Sequence, residues 1–176
     1  MAAASLLQAE GDYAGASFAT IGSNEPAAIG ADDLFAVTML SVSVAAGAAR
    51  LLMEIGETRD AVNEGLRALP TASLQDVDED GLRDMELFYR HVKKALAKAS
   101  AENSNPWVTA SKLCARKRPD LFPVRDNVVC ELLGLLPKGD YQVDCKSSVI
   151  SCRTHRCSTP SPELATQRLS PQMASR

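Results

Sequence analysis

The sequence predicts an all-α domain, and three observations carry that expectation. Apolar residues recur at three- and four-residue spacing from Ala31 to Leu136, turn residues interrupt them at short intervals, and no strand pair or βα alternation competes. The predicted organisation is a loose N-terminal segment over 1–30, a small helical bundle over 31–136 and a disordered tail over 137–176. Short connections make consecutive helices antiparallel neighbours.

The elements follow in chain order. Gly11, Gly15 and Gly22 with Pro26 mix turn residues with isolated aromatics, so the first 30 residues read as loop around one short packed turn. Asp32 and Asp33 then favour a helix start, and Leu34, Val37, Met39 and Leu40 supply its inner face. Small polar and β-branched residues alternate over Ser41 to Val44 and break the helix. A second helix runs from Ala45 to Ile55, with Ala48, Leu51, Leu52 and Ile55 on one face. Gly56 ends it, Thr58 caps a third helix lined by Ala61, Val62, Gly65, Leu66 and Leu69, and Pro70 halts that one.

After the acidic, solvated Ser73 to Asp80 comes a long amphipathic helix whose inner residues are Leu82, Met85, Phe88, Tyr89, Val92 and Leu96. Lys93, Lys94 and Lys98 complement the dipole at its end. Asn103 to Pro106 make a tight connector, a fifth helix carries Val108, Leu113, Cys114 and Ala115, and Pro119 closes it. Leu121 to Val124 form an extended apolar link, and Asp126 heads a final short helix with Val128, Val129, Leu132 and Leu133. From Lys138 onward serines and prolines replace any apolar stripe, too little to offset about 1–2 kcal/mol per residue of backbone ordering.

Composition narrows the functional classes. A net charge of -3 and a pI near 5.4 exclude a surface that is basic throughout, so any contact with a polyanion must be local. No run approaches the roughly 20 apolar residues that span a bilayer, and the start lacks a signal-peptide pattern; the expectation is a cytoplasmic protein without membrane contact. Five cysteines are an odd number, and Cys114 and Cys130 sit in apolar patterns as reduced thiols. Cys145, Cys152, His155 and Cys157 are zinc-binding types in a spacing that matches no common finger, and no metal or cofactor is expected. His91 reads as a surface or half-buried helix histidine. No Ser/His/Asp order, phosphate loop or carboxylate pair stands out, and the expectation leans away from an enzyme.

The stretch Trp107 to Val129 holds the remaining chemistry. Lys112, Arg116, Lys117, Arg118 and Arg125 make a dense cationic run, the candidate nucleic-acid face, since such side chains neutralise phosphate without reading sequence. Its bland counterpart is a solvated helix end paired with Asp76 to Asp80. Asp126 is the candidate catalytic residue, set against the plainer role of an N-cap. Trp107 reads as a core anchor more readily than as a base-stacking platform.

With a helix, a connector, a second helix bearing Thr109-Ala110, an apolar link and an Asp-headed helix, Leu96 to Gly134 resembles the core of the helix-hairpin-helix DNA glycosylases. Closer is the likeness to uncharacterised bacterial proteins sharing Ala31-Asp32-Asp33-Leu34, Ala36-Val37-Thr38, Leu40-Ser41-Val42 and the Trp107 to Val129 pattern, across Ala31 to Gly134. The glycosylase likeness implies a phosphate-binding connector and an Asp126 that supports attack on the sugar. Here Ser104-Asn105-Pro106 stands where that family has Gly-x-Gly, and Val108 stands where its bifunctional members have a lysine nucleophile. The leading expectation is non-specific DNA binding through the basic helix-hairpin-helix-like face. The alternatives are a protein-interaction module with no nucleic-acid role, and a weak glycosylase-like enzyme using Asp126.

Overall fold

The computed structural model describes residues 14–98, 106–125 and 127–132. A 3-10 turn, Ala14–Ser17, precedes six α-helices: α1 (Ala31–Thr38), α2 (Ala46–Met53), α3 (Glu57–Ala68), α4 (Glu79–Lys98), α5 (Trp107–Lys117) and α6 (Asn127–Leu132). No strand occurs among the described residues. The fold is all-α, as the periodicity predicts.

The long α4 is the spine. It packs against α2 and α3 on one side and α5 on the other, and α1 closes over α5. Its inner residues Met85, Phe88, Tyr89, Val92 and Leu96 are buried, following the 3.6-residue stripe. Asp78 starts the helix by accepting the Gly81 N–H at 2.8 Å, a side-chain cap for an otherwise unpaired amide. Phe88 sits where three segments meet: its ring lies 5.9 Å from that of Phe122, tilted by 59°, and its backbone approaches Gly65 of α3 closely.

The short helices end for identifiable reasons. Beyond α1, Ser41 adopts a left-handed φ of 58°, the conformation that commonly stops a helix. Pro70 follows the α3 C-cap Leu69. The third helix is capped two residues earlier than the predicted Thr58, because α2 stops at Met53, Glu54 turns extended and Gly56 takes the N-cap position. That early stop has a consequence for Ile55. Predicted on the inner face of the second helix, it lies beyond the helix and is exposed, while Ala48 and Leu52 remain in the core.

Residues 18–30 form a strap without regular structure that crosses the end of α5. Phe18 and Ile29 are buried and anchor its two ends. Gly22 turns it with φ of 61°, and a Cβ there would stand 2.6 Å from the Asp32 Cγ, so the turn admits no side chain. Asp32 in turn accepts the Ser23 N–H at 2.7 Å and the Ser23 hydroxyl at 2.9 Å. The predicted tail and the connector around Asn103 to Asn105 lie outside the described residues.

Candidate functional site

The predicted cationic face turns inward. Lys112, Arg116, Lys117 and Arg125 are buried, and Arg118 is partly so, with its side chain 22 % exposed. The expectation that these cations project from the bundle is therefore corrected. Helix α5 is enclosed from Ala110 to Lys117, so its polar side chains have only protein to meet.

Each cation has an internal task. The Lys117 ammonium donates to the Glu25 carbonyl at 2.5 Å, the Ala28 carbonyl at 2.7 Å and the Asp33 carboxylate at 2.9 Å. Those three bonds use all its hydrogens. Arg116 donates from Nε to Asp33 Oδ1 at 3.3 Å, from Nη1 to the Phe18 carbonyl at 2.9 Å and from Nη2 to the Ile21 carbonyl at 2.6 Å. Asn24 returns a bond from Nδ2 to the Arg116 carbonyl at 2.8 Å. The side chains of Asp33, Arg116 and Lys117 are 2 %, 1 % and 0 % exposed. One buried carboxylate thus holds two cations, and together they fasten the strap to α5.

The other two cations of α5 and its edge serve helix ends. Lys112 donates to the Leu40 carbonyl at 2.7 Å, just past α1, and Arg118 to the Pro70 carbonyl at 2.6 Å, just past α3. Carbonyls there lack intrahelical donors and lie at the negative pole of each helix. Arg125 lies with its guanidinium carbon 5.5 Å from the centroid of Trp107, a cation–π arrangement on a half-buried indole. Tyr89 donates its hydroxyl to the Trp107 carbonyl at 3.4 Å, and burial raises its phenol well above the ordinary range despite the nearby Arg125 charge.

The acidic segment plays a different part from the one predicted for it. Asp76 pairs with Ser73, Asp78 caps α4, and Asp80 meets Arg83, while the partner of Arg116 and Lys117 is Asp33. Asp33 is read from the sequence as a helix-start carboxylate, and it does accept the Gly30 N–H at 3.0 Å. Its larger role has one legible signal: Asp33 falls four residues before Val37, on the inner row of α1.

Arg118 also forks onto Asp120, with Nε to Oδ1 at 3.0 Å and Nη2 to Oδ2 at 2.6 Å. Partial burial pushes the Asp120 carboxyl up, and the hydrogen bonds and charge of Arg118 outweigh that and leave it below its ordinary value. A lowered carboxylate stabilises the fold above its unfolded pKa and loses that contribution as pH falls through the folded value. Acidification below about pH 4 should therefore destabilise the chain, and Arg118→Gln should flatten this part of a pH titration of urea midpoints.

His91 is half-buried on α4, and its Nδ1 stands 3.0 Å from the Ala61 carbonyl. A carbonyl only accepts, so Nδ1 carries the hydrogen. Burial raises the Cys114 thiol well above its ordinary value, as suits a packing residue, and both Cys114 and Cys130 are free. Asp126 and the set Cys145, Cys152, His155 and Cys157 lie outside the described residues; among those described, no three metal-binding side chains cluster. No helix among the described residues is long and apolar enough to cross a membrane.

Fold and site together define a small helical domain organised around a buried ion cluster. Residues 3–156 match the model of a family of unknown function, DUF6308, and the chain belongs to that family. The match reaches beyond Lys138 and takes in Cys145, Cys152 and His155, so the likeness to relatives continues into the segment predicted as tail. No curated protein and no solved structure matches the chain significantly. The comparisons do not show the helix-hairpin-helix glycosylase likeness.

Proposed function

We propose that this chain is a recognition module that binds a protein partner through the corner between α2 and α3. One observation carries the reading: Ile55 is 89 % exposed and Met53, two residues away, is 41 % exposed. Single exposed aliphatics are ordinary, but two large ones fall within three residues of the turn between α2 and α3, and Ile55 shares a groove with the half-buried Leu51, so covering this turn with a partner is favourable. Each such side chain contributes roughly 1.5–3 kcal/mol when fully covered.

The competing reading is non-specific DNA binding. Its support from α5 is reduced, because four of the five cations meant to meet phosphate are buried and their donors face carbonyls, a carboxylate or an indole. The glycosylase-like reading rests on Asp126 alone and gains no further residue.

A photo-crosslinking amino acid placed at Met53 tests the choice. Irradiation should give a protein adduct of defined mass that Ile55→Glu abolishes, and duplex DNA should not be retained at low salt. No adduct, together with DNA retention that falls steeply with salt, would transfer the function to nucleic acid.

A further inference from the structure

The same corner has a shape that narrows the partner. Beside Ile55 lies an open groove of about 260 Å³, bounded by Arg50, Leu51, Gly56 and Thr58 as well as by Ile55 itself. A projecting aliphatic knob therefore stands next to a recess large enough to receive one. The charged residues that line it are of both signs, Arg50 beside Glu54 and Glu57. Arg50 and Glu54 lie 3.7 Å apart, each about two-thirds exposed, and so are free to exchange partners at little cost.

We infer that the occupant of this corner is a second copy of the chain, an inference that rests on the protein-binding reading above. A two-fold interface brings one patch onto itself, so it needs self-complementarity in both shape and charge. Knob and recess supply the first: Ile55 of each copy enters the groove of the other. The mixed rim supplies the second, since a corner of one sign would repel its own image whereas Arg50 of each copy can face Glu57 of the other across the axis. Of the large exposed apolar side chains among the described residues, Ile55 lines this groove, whereas Met53 ends α2 outside its lining, Phe35 is on α1, Leu87 on α4 and Val128 on α6.

Sedimentation equilibrium of the full chain over a range of micromolar concentrations tests the inference. The expected mass approaches twice 18.8 kDa at the upper end. Ile55→Glu should raise the dissociation constant by roughly 30-fold or more, as for a central interface residue, and leave the monomer's melting temperature unchanged. Val128→Glu, exposed elsewhere, should remain dimeric. A parent chain that stays at 18.8 kDa throughout, or a dimer that survives Ile55→Glu, overturns the inference. So does a monomeric parent in which Ile55→Glu lowers the melting temperature, which would mean that the chain's own sequence covers the corner. If the parent is monomeric yet Met53 still gives an Ile55-dependent adduct with another protein, the dimer fails while the protein-binding reading stands. No adduct of any kind removes both.

Discussion

Asp33→Asn is expected to destabilise the domain by about 3–5 kcal/mol, the cost typical of breaking a buried ion pair from one side. The amide keeps the shape of the carboxylate, so packing around Leu34 and Val37 is retained and the change isolates the charge. Arg116 and Lys117 then remain in the interior without the carboxylate they share, held by the strap carbonyls. Because a domain's whole stability is about 5–15 kcal/mol, this loss should be visible as a large fall in the urea midpoint followed by far-UV circular dichroism. Lys117→Met in the same background should cost less than it does alone, since it removes one of the unbalanced cations. A change below about 1 kcal/mol in Asp33→Asn would show that the strap carbonyls suffice to hold both cations.

Phe88→Ala should cost a similar amount, about 3–5 kcal/mol, by a different route. The ring is fully buried where α4, α3 and the link after α5 meet; Gly65 offers no side chain to fill the space, and Phe122 is itself buried. The cavity term therefore adds to the lost transfer energy. Thermal unfolding should drop by roughly 10 °C or more. A small drop would imply that α3 moves in to close the cavity.

These two positions differ in how readily the sequence reveals them. Phe88 belongs to a stripe with Met85, Tyr89 and Val92, and local spacing alone places it inside. Helix number, order and most boundaries were legible in the same way, since each helix buries a face that its own residues define. Ile55 was misplaced because periodicity cannot see that Glu54 leaves the helix. The ion cluster was harder still. Asp33 and its two cations are 83 and 84 positions apart in the chain, so no local window contains the pair. A run of lysines and arginines at a helix end reads as solvated by default; only the tertiary enclosure of α5, by α1, α4 and the strap, turns it inward.

The cations of α5 and its edge hold the fold together from within. Equilibrium urea denaturation of the Arg116→Gln, Lys117→Gln, Arg118→Gln triple variant tests it most directly. Solvated residues of this kind change stability by at most about 0.5 kcal/mol each. The expected loss is above about 3 kcal/mol, with the amides of residues 18–30 losing hydrogen-exchange protection first, because two of the three replacements cut the bonds that fasten the strap. A triple variant with the parent's urea midpoint and an equally protected strap would contradict the claim and return these side chains to the surface.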